Sequence, residues 1–265
     1  MTNSFKVFIL FMLAGISPAL AQTWELGVTA GGFGYMGDLN QNNFHQINHP
    51  AFGGMVKRNF DSYWSLKMEL ISGKISADES KSPYQQERDR NLSFYSPLTE
   101  LSLQLEFNFF DYGFDYHQVH FTPYLYSGIS LAAFNPKTNY DGRTYELKYY
   151  NTEGQINSYQ TTTYSIPVGA GVKFNFGQYF NIAAHAGFRN TSTDYLDDVS
   201  GNYADQAQLQ GNSPENTAIR RALADRSLNK IGVPGTQRGD FRKKDSYVFV
   251  GITLSYTFVS QKCPF

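Results

Sequence analysis

Residues 99–109, TELSLQLEFNF, alternate in character. Leu101, Leu103, Leu105, Phe107 and Phe109 fall on one side of an extended chain, and Glu100, Ser102, Gln104, Glu106 and Asn108 on the other. A period of two is the signature of a strand with one apolar and one polar face. Seven further stretches repeat it, at about 23–37, 51–59, 63–72, 119–134, 161–176, 179–191 and 246–258. In the first, Trp24, Leu26, Val28 and Ala30 oppose Glu25, Gly27, Thr29 and Gly31; in the third, Trp64, Leu66, Met68 and Leu70 oppose Ser65, Lys67 and Glu69. Each stretch is long enough to cross a bilayer as a tilted strand of about 9–11 residues.

The connections decide the architecture. Short links at 60–62, 110–118 and 177–178 alternate strictly with long polar ones at about 38–50, 73–96, 135–160 and 192–245. That order is expected of an all-β, eight-stranded antiparallel transmembrane β-barrel with short periplasmic turns and long extracellular loops. A sandwich with Greek-key crossovers has no reason to produce it. In lipid the sheet must close on itself so that every backbone group finds a partner. The aliphatic face then meets hydrocarbon. The polar face lines a lumen in which Glu69, Glu100 and Glu106 pair with Lys57, Lys67, Lys173 and Arg189, offsetting the cost of buried charge. Eight strands enclose a space that side chains fill, so a bulk pore is not expected.

Composition fits this frame. Phenylalanine (22) and tyrosine (19) are abundant, tryptophan (2) is scarce, and the net charge of −1 gives no field for a polyanion such as nucleic acid. Lys6, the apolar run Val7–Leu13 and Ala19-Leu20-Ala21 read as an export signal over residues 1–21, cleaved before Gln22. Residues 22–265 then form one barrel domain with a periplasmic tail at 259–265, placed in the outer membrane of a Gram-negative cell. A short helix is predicted within 218–231, with Ile219, Ala222 and Leu223 on one face.

Candidate chemistry is sparse. Thr193 to Asp198 carries three carboxylates, an oxygen-rich cluster of the kind hard cations favour, but its spacing is not that of an EF-hand, and it reads as a solvated loop tip. His45 with His49, and His117 with His120, lack an evident third ligand. The glycines around Phe33 precede no helix and do not form a nucleotide loop. No serine elbow or zinc-protease motif occurs, and Glu100 and Glu106 are expected to pair structurally rather than act as an acid/base couple, so no enzyme, metal or cofactor is predicted. Cys263, the sole cysteine, falls beyond the last strand, where an oxidising periplasm permits an intermolecular disulfide.

Three stretches, TWELGVTAGGFGYMGDLN (23–40), KRNFDSYWSLKMEL (57–70) and FRNTSTDYLDDVSGNY (188–203), resemble the PorG family of outer-membrane barrels from the Bacteroidetes type IX secretion and gliding machinery. The resemblance implies a structural part: holding a periplasmic ring, built from a PorK- or GldK-like lipoprotein and a PorN- or GldN-like protein, at the outer membrane. Contacts are then expected on the periplasmic side, at Asp61, Tyr112, Asp115, His117, Gln178 and Cys263. The competing expectation is a small barrel for transport or surface adhesion, unrelated to secretion.

Overall fold

The computed structural model describes residues 23–40, 46–114, 117–177, 179–240 and 242–258. The export signal with its cleavage site, His45, Asp115, Gln178, Cys263 and the tail 259–265 lie outside the described residues. Ten strands are present among them: β1 (Thr23–Met36), β2 (Ile47–Asn59), β3 (Trp64–Asp78), β4 (Ser93–Asn108), β5 (Phe121–Phe134), β6 (Lys137–Tyr140), β7 (Arg143–Glu146), β8 (Thr162–Phe176), β9 (Phe180–Thr191) and β10 (Ser246–Phe258).

Eight of them close a ring. Each pairs antiparallel with its neighbours in the order β1-β2-β3-β4-β5-β8-β9-β10, and β10 returns to β1 through the register Trp24↔Phe258 to Met36↔Ser246. Every ladder therefore has a partner on both sides, and no edge is left in the wall. The alternation reads out as exposure. Leu101, Leu103 and Leu105 face out at 42–46% exposure, whereas Glu100, Gln104 and Glu106 are at most 1% exposed. Exposed aliphatic residues such as Val28, Met68, Leu125, Ile129, Ile166, Val168 and Ile252 continue this belt round the wall. At the short-turn end an aromatic girdle borders it. Trp64 stacks near Phe107 (4.9 Å), and Phe176, Phe180, Tyr256 and Phe258 touch in series at 5.1–5.8 Å. Such a girdle marks an apolar–aqueous boundary. No helix among the described residues is long and apolar enough to cross a membrane.

Four expectations need correction. The long links at 38–50 and 73–96 are shorter, because β2 begins at Ile47, β3 runs on to Asp78 and β4 begins at Ser93. Beyond Ser72 the β3–β4 ladder continues for six more residue pairs, Gly73↔Leu98 to Asp78↔Ser93, so the hairpin projects roughly 20 Å past the alternating belt at about 3.3 Å per residue. Outside the apolar belt neither face needs to be greasy, so the period-two signal fades while the hydrogen-bond ladder persists. The third long link carries its own hairpin, β6–β7, turned through Asp141 and Gly142 at φ 49° and 73°, the doubly left-handed turn that suits strand twist. The helix in the last link spans Pro214–Ala224, started by the Ser213 hydroxyl, which accepts from Asn216 N–H.

The fourth correction concerns the interior. The lysine–glutamate network of the wall fills only the half near the short turns. In the other half Phe33, Ile71, Ile75, Phe94, Leu98, Phe134, Tyr247 and Phe249 point inward, and Leu39, Leu92, Leu147, Leu196, Val199 and Leu223 from the long links join them. The links thus fold into the barrel mouth as an apolar plug. Fully burying one Leu contributes about 1.5–3 kcal/mol.

Candidate functional site

The ionic layer is built by alternate residues of seven strands. Glu106 on β4 accepts from Lys173 Nζ of β8 at 2.6 Å and lies 3.3 Å from Lys67 and 3.7 Å from Lys57. Lys67 also reaches Glu69 (3.2 Å), and Lys57 reaches Glu25 (2.9 Å). Higher up, Arg189 on β9 donates to Glu100 from Nε (3.2 Å) and Nη2 (3.4 Å), while Tyr247 Oη donates to Glu100 Oε2 at 2.5 Å. Sequence reasoning set Glu69, Glu100 and Glu106 against Lys57, Lys67, Lys173 and Arg189 as two groups without assigning partners, and it left out Glu25, whose inward position in the first strand was the available signal. Four carboxylates (Glu25, Glu69, Glu100, Glu106) face four cations (Lys57, Lys67, Lys173, Arg189), so the layer is neutral as a whole. Each charge has an opposite partner, which is the condition for tolerating it away from water.

These contacts cross the barrel. In a ring of eight, β4 and β10 stand on opposite walls, yet the Tyr247 hydroxyl meets the Glu100 carboxylate. Room for such reach comes from small residues opposite large ones. A Cβ on Gly187 would sit 2.1 Å from Tyr126 Oη, and one on Gly169 2.4 Å from the same atom. Lys173 lies 4.1 Å over the Tyr124 ring, adding a cation–π contact in a dry setting.

The short-turn end has a floor. Tyr112, half-buried, donates its hydroxyl to Asn181 Oδ1 at 2.7 Å, and Asn175 donates to the Gly113 carbonyl. His120 Nδ1 lies 2.5 Å from Asn175 Oδ1. Tyr112, Gly113 and His120 are therefore tied beneath the lumen by Asn175 and Asn181, two residues sequence reasoning did not single out. Asp61 Oδ1 accepts from Tyr63 N (2.8 Å) and Trp64 N (2.7 Å), which sets its own turn. His117 is exposed at the same end. His49, at the other end, bonds Ser76 across β2 and β3 at 2.9 Å.

Asp194 to Asp198 is not a solvated tip. Leu196, Asp197 and Asp198 are at most 1% exposed. Leu196 and Val199 insert into the apolar plug and carry the intervening acids inward. Asp198 accepts from Thr152 (2.6 Å) and Tyr159 (2.7 Å), and burial pushes its carboxyl up to about 6. Arg238, also buried, donates to Glu153 (2.9 Å) and to the carbonyls of Asp198 (2.9 Å) and Ala224 (3.2 Å). Arg90 joins Glu79 to the carbonyls of Asp38 and Arg238. The apolar pair three residues apart within an acidic run was the signal for burial.

No curated protein matches the sequence significantly. Among solved structures the barrel is similar to Neisserial surface protein A (10% identity, 89% of this chain and 97% of that one, TM-score 0.42). It is similar also to the N-terminal barrel of Pseudomonas aeruginosa OprF (11%, 88% and 97%, 0.38) and to Ail, the attachment invasion locus protein of Yersinia pestis (11%, 89% and 97%, 0.37). A family model described as a domain of unknown function, DUF6089, matches residues 4–217, and the chain belongs to that family.

Proposed function

We propose that this barrel is a structural component of the type IX secretion machinery, set in the outer membrane with its short turns in the periplasm and its long links outside. There it ties a ring of PorK- or GldK-like lipoprotein and PorN- or GldN-like protein to the membrane. The observation that carries the mechanical part is the filled lumen: side chains from opposite walls meet at Glu100, and the plug occupies the other half. A solid cylinder conducts nothing and transmits load. It suits an anchor better than a channel. The exposed aliphatic belt and the aromatic girdle support a lipid setting. The identity of the ring rests on the PorG resemblance of residues 23–40, 57–70 and 188–203. Docking falls to the short-turn face around Asp61, Tyr112 and His117, with Asp115, Gln178 and Cys263 in the adjoining segments.

The test is deletion of the gene, followed by measurement of cargo in the medium and affinity purification of the tagged barrel from native membranes. Loss of secretion with co-purifying ring proteins is expected. Unchanged secretion without those proteins would end the proposal.

A further inference from the structure

We propose that the mouth of the barrel holds a calcium-class divalent cation between the carboxylates of Asp38, Asp197 and Asp245, fastening the plug to the barrel rim. These residues come from three places: Asp38 just after β1, Asp245 just before β10, and Asp197 from the middle of the chain that enters the mouth. One carboxylate oxygen from each lies within 4.8 Å of the other two. A cation with oxygens at 2.3–2.6 Å bridges pairs up to about 4.6–5.2 Å apart, so one ion can touch all three.

All three residues are at most 1% exposed. Their hydrogen bonds leave charge uncompensated. Tyr35 Oη donates to Asp197 Oδ2 (2.5 Å) and is 3.2 Å from Asp245 Oδ1; Leu196 N donates to Asp245 Oδ2 (2.9 Å) and Val199 N to Asp197 Oδ1 (2.9 Å). Asp38 Oδ1 accepts from Asp240 N, but its other oxygen, Oδ2, is buried and accepts nothing. Among the described residues no lysine, arginine or histidine forms an ion pair with any of the three; the two nearby arginines, Arg90 and Arg238, are paired with Glu79 and Glu153. Asp194 and Asp240 add further negative potential. Backbone closes in: a Cβ on Gly37 would stand 2.0 Å from Asp245 Oδ1, and one on Gly239 2.7 Å from Asp38 Oδ1. The irregular, carboxylate-rich donor set suits calcium, which tolerates loose geometry, better than magnesium, which demands a regular octahedron.

The experiment uses the full mature barrel in detergent, stripped with EGTA. Calcium is titrated while thermal unfolding is followed, and terbium, a calcium-sized ion excited by adjacent tyrosine, reports binding directly. One saturable site is expected, with a dissociation constant of about 0.1–1 mM, the range of extracellular calcium modules. A rise in melting temperature accompanies it, absent in Asp197→Asn and Asp245→Asn. Wild-type protein whose melting ignores calcium and EGTA, with no saturable terbium signal, would overturn the site. Should a substituted barrel fail to fold, terbium titration of the wild type with calcium competition still decides.

Discussion

Arg189→Met removes the guanidinium that faces Glu100 and keeps the volume. Both side chains are 0% exposed, so the Glu100 carboxylate would retain only the Tyr247 hydroxyl as a donor. Breaking a buried pair on one side costs about 3–5 kcal/mol, because a charge is left without compensation. Removing the charge as well relieves that penalty. The triple change Arg189→Met, Glu100→Met, Tyr247→Phe replaces the crossing contact by apolar groups and is expected within about 1 kcal/mol of wild type. The assay is urea unfolding of barrel refolded into phosphocholine vesicles, read through the fluorescence of Trp24 and Trp64, which face outward at the short-turn ends of β1 and β3. If the single change costs under about 1 kcal/mol, the value of a water-screened pair, the lumen is wet and the solid-cylinder argument fails. If single and triple variants lose the same amount, charge compensation is not what holds the layer together.

In planar bilayers the refolded barrel should show no steady conductance; stable ohmic steps would contradict the filled interior. Leu103→Arg, on the belt, is expected to destabilise by about 2–4 kcal/mol in a bilayer, whereas the same substitution in a lipid-free aqueous face would be near neutral; equal stability of both proteins in vesicles would remove the lipid belt. Gly187→Val drives a side chain into Tyr126 Oη and should cost about 1–3 kcal/mol, seen as loss of the heat-modifiable band on gels. On non-reducing gels of native membranes a higher-mass species should disappear in Cys263→Ser, and monomer alone in both lanes would exclude a covalent partner.

Alternation along the chain was enough to place the wall. Leu101, Leu103 and Leu105 had to face apolar surroundings and Glu100, Gln104 and Glu106 the inside, because side chains of a strand alternate strictly and lipid punishes any slip by one residue. Closure followed from the need to satisfy every backbone group, and the gathering of Glu69, Glu100 and Glu106 with Lys57, Lys67, Lys173 and Arg189 from the inward face they share; which of them pair was decided by the closed ring. Where the greasy face ends, that constraint ends too: the β3–β4 hairpin beyond Ser72 and the start of β2 at Ile47 are held by ladder hydrogen bonds that carry no sequence period. The plug lies further out of reach. Leu196, Leu39, Leu92, Leu147 and Leu223 come from four different links and meet only because the barrel mouth offers one apolar surface to all of them. The same long-range meeting sets Asp38, Asp197 and Asp245 within one ion's reach, although they stand 159 and 48 residues apart along the chain. Periodicity is a local property and survives in the sequence. Convergence of distant loops is decided by shape and burial once the ring has closed.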